Sequence, residues 1–116
     1  MTKSDEYIFA NRLRRVEDVA LEISSRTDLD TPYVLRQIEG WQRLRHKVPR
    51  WAETPGILFP PRIALEQCSS ASAAEYKADI VRRLLPPDER DSMIDLTGGT
   101  GVDFSHLAPL FAQAIY

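Results

Sequence analysis

Near the end of the chain a short apolar run, Met93-Ile94-Asp95-Leu96, leads straight into Thr97-Gly98-Gly99-Thr100-Gly101. Glycine reaches positive φ without steric cost, and its missing side chain lets a ligand approach the backbone closely. A helix that starts directly after such a loop aims its free N–H groups and positive dipole end at an anion. The chemistry open to this segment is therefore binding of a nucleotide, a phosphate or a carboxylate, and the plainer alternative is a tight turn. The phosphate-gripping pattern GxxxxGK[ST] is excluded, because no Lys-Ser/Thr pair follows the glycines. The dinucleotide pattern GxGxxG is met at Gly99 and Gly101 but fails at Phe104. Asp103 falls in the first turn of the expected helix, where a negative charge is favourable by about 0.3–1 kcal/mol.

The elements that must position this loop follow from periodicity. Residues 93–96 read as a strand, 102–110 as a helix and 112–116 as a second strand, which is the opening of a βαβ unit. The preceding residues read as helical. Phe9, Leu13, Val16, Ala20 and Ile23 recur at spacings of four and three over a helix spanning 4–25, whose weakest point is near Asn11. A second helix is expected to open at Thr31-Pro32, with threonine as cap and proline in the first turn, and to stop at Pro49. Its stripe is Val34, Ile38, Trp41, Leu44 and Val48, interrupted by Gly40, which weakens a helix interior by about 1 kcal/mol. Residues 49–62 hold four of the eight prolines and read as an ordered loop anchored by Trp51 and Phe59. A third helix over 70–85 is expected to carry a capping box at Ser72 and Glu75 and to bury Ala73, Tyr76, Ile80 and Leu84. The fold class is thus mainly α, with a helical domain over 1–88 and a truncated first βαβ unit of Rossmann-like type over 89–116.

Composition narrows the class further. The chain has 116 residues, 43% hydrophobic and 28% charged, with a net charge of -2. That is ordinary globular composition. No apolar stretch approaches the ~18 residues of a membrane span, and no leader-like run opens the chain. The lone Cys68 forms no intrachain disulfide or zinc site by itself, and nothing near it in sequence lowers its pKa. His46 and His106 have no evident partner. A cytoplasmic protein without membrane contact or bound metal is expected. The charge is unevenly spread: residues 36–50 hold five basic residues against one acid, Glu39. At 100° per residue, Arg36, Arg43, Lys47 and Arg50 project within about 40° of one line, opposite the apolar stripe. Such a ridge suits RNA phosphates, and it also suits plain solvation of an amphipathic helix.

The run Ile94-Asp95-Leu96-Thr97-Gly98-Gly99-Thr100-Gly101 resembles motif I of class I methyltransferases, an acid at a strand end followed by a G-x-G loop. The resemblance implies S-adenosylmethionine as cofactor, with Thr97, Gly98, Gly99 and Gly101 shaping the loop around its methionine part. Asp95 would touch it directly or through water, and Asp103, in the first turn of the following helix, would be a further cofactor-binding residue. Thr97 departs from the commonest pattern, which has glycine there. A phosphoribosyltransferase loop also ends in Thr-Gly-Gly-Thr, but that family has two adjacent acids before the loop, and only Asp95 is present. Phe59-Pro60-Pro61, Glu66-Gln67-Cys68-Ser69-Ser70 and Tyr76-Lys77-Ala78, followed by DLTGGTGVDF, are similar to a bacterial family of such methyltransferases. That family has a helical N-terminal region and a THUMP-like domain far downstream. The likeness implies methyl transfer with RNA as the acceptor, and it makes Gln67 and Ser69 further cofactor contacts; a helix-capping turn is the other reading of those two residues. On this reading the chain is the N-terminal part of a methyltransferase, inactive alone, whose exposed strand edges invite self-association and whose catalytic residues are not identified. A non-catalytic helical module binding RNA or protein is the alternative.

Overall fold

The computed structural model describes residues 1–116. It is mainly helical, with seven α-helices and one two-stranded parallel sheet, and it divides into two compact units, Met1–Glu66 and Gln67–Tyr116. The compact units group the helix over 71–84 with the strands, because that helix packs on the helix that follows the glycine loop.

In the first unit, the expected helix over 4–25 is two helices, α1 (Lys3–Asn11) and α2 (Val16–Ile23). Thr2 caps α1: its hydroxyl accepts from the Asp5 N–H, and the Asp5 carboxylate accepts from the Thr2 N–H. The break over 12–15 contains neither glycine nor proline. The carbonyls of Arg12 and Arg14 accept hydrogen bonds at 2.8 and 2.6 Å from Nε2 of Gln42, so a side chain of the next helix meets the needs of the interrupted backbone. The break also reorients the apolar residues. Val19 and Ile23 are buried, whereas Phe9 and Leu13, expected in the core, are exposed. Tyr7 and Ile8 pack in their stead, against a core of Val19, Ile23, Leu29, Val34 and Ile38.

Helix α3 (Thr31–Lys47) is the axis of this unit. Its cap is Asp30, whose Oδ1 accepts from the Tyr33 N–H; Thr31, the expected cap, is the first helical residue. The stripe holds, with Val34, Ile38, Leu44 and Val48 buried and Trp41 half-buried. Two positions on the same side are not apolar side chains at all. Gln37, 5% exposed, donates from Nε2 to the Phe59 carbonyl at 3.1 Å and accepts at Oε1 from the Phe59 N–H at 2.8 Å. Gly40 lets Phe59 lie directly on the helix: a Cβ there would stand 2.2 Å from the Phe59 Cβ. The segment 49–62 therefore is held as an ordered connection, as expected, although it begins with a short helix α4 (Pro49–Glu53). Trp41 Nε1 donates to the Ala52 carbonyl at 3.1 Å. Helix α5 (Arg62–Gln67) follows, and Lys47 Nζ donates to its Leu65 and Glu66 carbonyls at 2.8 and 2.9 Å.

In the second unit, α6 (Ala71–Leu84) is capped by Ser70, which accepts from the Ala73 N–H; the expected box at Ser72 and Glu75 is not used. Its buried residues are Ala74 and Ala78, while Tyr76 and Leu84 are exposed. The expected face is displaced because two alanines four apart let the neighbouring helix approach closely, which larger apolar residues would prevent. Arg90 donates to the Leu85 and Arg82 carbonyls and so closes the end of α6. Strand β1 (Ser92–Ile94) pairs in parallel with β2 (Gln113–Ile115), Met93 opposite Ala114, and α7 (Val102–Leu107) forms the crossover with buried Val102. Ile94 and Ile115 remain exposed. No helix of the chain is long and apolar enough to cross a membrane.

Replacing Gly40 with alanine should lower unfolding stability by about 1–3 kcal/mol, as overpacking of a filled site does, despite alanine's better helix propensity. Urea denaturation followed by circular dichroism measures it, and an unchanged midpoint would show that Phe59 does not need this contact. A second expectation concerns acid. Backbone and side-chain hydrogen bonds from Thr2 hold the Asp5 carboxyl below its ordinary range, and Arg62 does the same for Glu66. A depressed folded-state value adds stability above the unfolded value and loses it as pH falls through the folded one. Stability should therefore decline below about pH 4, and Thr2→Ala should flatten that decline in pH-dependent denaturation curves.

Candidate functional site

The site is built where β1 ends. The Asp95 N–H donates to the Ile115 carbonyl at 2.9 Å, continuing the parallel ladder by one residue. The chain then turns, and the Asp95 side chain makes the turn: its Oδ1 accepts from the Thr97 N–H at 2.9 Å and from the Thr97 hydroxyl at 3.1 Å. Such an Asx turn is a local alternative to a backbone turn. It uses one carboxylate oxygen and explains why threonine serves at 97, since its hydroxyl adds a second bond to the same acceptor.

Gly99 and Gly101 then take φ of 58° and 84°, the left-handed region that an L side chain reaches only at a cost of roughly 1–2 kcal/mol. The Gly101 N–H donates to the Gly98 carbonyl at 3.0 Å, and Gly101 is the residue from which α7 starts. Gly98 is required for a different reason. The ring of Tyr116 lies on it, and an added Cβ would stand 2.6 Å from the ring edge. The Tyr116 hydroxyl donates to the Gly99 carbonyl, and the ring meets Phe104 edge-on at 5.3 Å between centroids.

Asp103, in the first turn of α7, does more than balance the helix dipole. Its carboxylate accepts from Lys77 Nζ at 3.0 and 3.1 Å and from the Ser69 hydroxyl at 2.9 Å, and Lys77 also donates to Ser69 at 3.0 Å. The three residues tie the turn before α6, the α6 helix and the start of α7 together. Of the residues singled out from sequence, the structure thus collects Asp95, Thr97, Gly98, Gly99 and Gly101 in one loop, and bonds Ser69 to Asp103 beside it. Gln67 is exposed at the end of α5. The reading from sequence missed Lys77 and Tyr116. Lys77 lies in the block Tyr76-Lys77-Ala78 that carried the resemblance, and that was its available signal; nothing local marks Tyr116.

The basic residues of α3 are arranged differently from expectation. The helix ends at Lys47, and Val48 has φ -135° and ψ 75°, so Arg50 sits on α4 and not on a continuation of the same line. Pro49 is the cause, since a following proline disfavours helical backbone at the residue before it. Arg43 is half-buried against Glu39 at 3.3 Å and Glu66 at 3.6 Å, and Lys47 is turned onto α5. Arg36 and Arg50 are exposed.

No family model and no curated protein sequence matches the chain. Among solved structures, a candidate methyltransferase from Porphyromonas gingivalis W83 is similar over the whole of this chain, with 31% identity and a TM-score of 0.68. The chain has, in this respect, a methyltransferase-like fold. It spans 29% of that protein's length.

The backbone geometry of the loop gives a direct expectation. Gly101→Ala should destabilise the second unit by about 1–2 kcal/mol through its left-handed φ, whereas alanine at the exposed α6 position Arg83 of the same unit should cost less than about 0.5 kcal/mol. Hydrogen exchange of the amides in β1 and α7 reports the loss locally, and equal protection in both variants would count against it.

Proposed function

We propose that the glycine loop is a cofactor site for S-adenosylmethionine and that the protein carrying this chain transfers methyl groups, with RNA as acceptor. The observation that carries the reading is the arrangement at residues 92–115: a strand, an acid at its end, glycines with positive φ, a helix and a parallel return strand. Similarity along the whole chain to a candidate methyltransferase supports the class of reaction. The residues suit the group chemically. The Asp95 carboxylate holds its turn through Oδ1 and keeps Oδ2 for a ligand ammonium, and Gly99 and Gly101 put no side chain between the loop backbone and a ligand.

S-adenosylmethionine supplies a methyl group on a sulfonium, already activated for displacement. The tasks left to this chain are binding and orientation, which are the larger part of catalysis in such a transfer. Gly98, Gly99 and Gly101 hold the backbone close to the ligand. Asp95 offers a negative charge to its amino-acid end, and Thr97 keeps that carboxylate from rotating. The cluster of Ser69, Lys77 and Asp103 fixes the start of α7 relative to the loop. Gln67 and Ser69 stand as further contacts on this reading, with Ser69 acting through Asp103.

Isothermal calorimetry of the full-length protein with S-adenosylmethionine tests the proposal. Binding is expected, at least tenfold weaker for Asp95→Ala, and weaker again when Gly98 is replaced by valine. Absence of heat from a folded wild-type protein would sink the cofactor assignment. Phosphoribosyl diphosphate should produce no heat.

A further inference from the structure

Two surface features of the Met1–Glu66 unit are linked through Trp41, which lines the first and carries the guanidinium of Arg45 from the second. An apolar cleft of about 640 Å³ is lined by Phe9, Trp41, Ile57 and Leu58 among others. A shallow groove of about 750 Å³ is lined by Arg15, Gln42, Arg45, His46 and Lys47 together with the Glu39, Arg43, Arg62 and Glu66 network. Arg12 borders the cleft and Arg45 the groove, and both guanidinium groups lie on the Trp41 ring, at 4.5 and 4.9 Å from its centroid. Arg12 also lies 4.5 Å from the centroid of Phe9.

The charges sort into two kinds. Arg43 and Arg62 are paired with Glu39 and Glu66, and Lys47 is directed at backbone carbonyls. Those cations are part of the fold. Arg12 and Arg45 make no ion pair, and Arg15 has only Glu17 at 3.8 Å, with both side chains about three-quarters exposed. The Arg12 guanidinium contacts two aromatic rings, Phe9 and Trp41, and Gln42 pins the backbone of the segment that carries Arg12, Arg14 and Arg15. A guanidinium restrained over aromatic rings, with no carboxylate partner, has N–H donors for an outside acceptor and loses less freedom in meeting one. Next to these cations stand Phe9 and Leu58, 67% and 70% exposed, on the rim of the cleft.

Cations beside an exposed aromatic ring and apolar surface suit a single nucleic-acid strand, phosphates for the arginines and bases for the cleft. A duplex would offer the arginines its backbone but no base to the cleft. We propose that this unit binds single-stranded RNA through Arg12, Arg15 and Arg45, with bases against Phe9 and Leu58. The surface differs from the ridge of Arg36, Arg43, Lys47 and Arg50 expected from helical spacing. The choice of RNA rests on the acceptor reading above; the placement rests on the geometry alone.

Fluorescence anisotropy of a labelled single-stranded oligoribonucleotide with the full-length protein tests it, circular dichroism confirming that each variant is folded. Arg15→Ala with Arg45→Ala should weaken binding about tenfold or more and lower the slope of log affinity against log salt by about 2. Phe9→Ala should weaken binding with the slope unchanged. Arg36→Ala with Arg50→Ala should leave both unchanged. Wild-type binding by the Arg15/Arg45 pair, or loss confined to the Arg36/Arg50 pair, would overturn the placement. Polyglutamate competing as well as RNA would overturn the choice of ligand and mark an acidic-protein contact. A protein that binds S-adenosylmethionine but no RNA would overturn this inference while leaving the cofactor site standing.

Discussion

Two parallel strands cannot be joined by a tight turn. The chain leaving Ile94 must travel back to the same end of the sheet before Gln113 can pair with Ser92, and it does so through α7. That constraint produces the site. Between the end of β1 and the start of α7 the backbone has to reverse direction within a few residues and emerge with helical geometry. Gly99 and Gly101 make this possible by adopting φ values that other residues resist, and the Asp95 turn sets the direction of departure. The same reversal leaves backbone free of side chains at a helix start, which is a surface suited to a polar ligand. Ligand binding at the carboxyl ends of parallel strands is in this sense a consequence of connectivity.

Polar side chains, more than apolar area, decide how each unit is put together. Gln37 is buried and uses both ends of its carboxamide, the N–H and the oxygen, on the two backbone groups of Phe59. A buried amide left half-satisfied would cost about 1–3 kcal/mol, so the segment carrying Phe59 has one acceptable position along α3. Gln42 does the same for the interrupted backbone at Arg12 and Arg14, and Lys47 and Arg90 close the ends of α5 and α6. Lys77 bonds Asp103 and Ser69 across three segments of the second unit. These are long, flexible side chains reaching backbone or carboxylate over as few as 5 and as many as 30 residues of sequence. They convert helices with modest apolar faces into defined arrangements.

Such reach also reassigns charge. Half of the ridge seen in the helical spacing of α3 is consumed internally, Arg43 by Glu39 and Glu66, and Lys47 by α5. Arg36 and Arg50 stay exposed but apart from each other, and a second group of cations with no marked pattern in sequence, Arg12, Arg15 and Arg45, is gathered because Gln42 and Trp41 draw the segment after α1 onto α3.

Local chemistry is legible in a sequence when the residues involved are neighbours. The strand, glycine loop and helix at 92–107 could be read directly because Asp95, Thr97 and the glycines act on one another within seven residues. The stripe of α3 was legible for the same reason, since helical periodicity is a local property. What sequence could not supply was which face of a helix wins when several are plausible. Ala74 and Ala78 are buried in α6 while Tyr76 and Leu84 are not, because close approach to a neighbour favours small residues, and the neighbour is set by the fold. The break at 12–15 likewise depends on Gln42, thirty residues away from Arg12. Hydrophobicity and turn propensity are carried by each residue, so the chain alone determined the elements and the glycine loop. Partner choice for Gln37, Gln42, Lys47 and Lys77 is a matter of distance in space, and only the tertiary structure decided it.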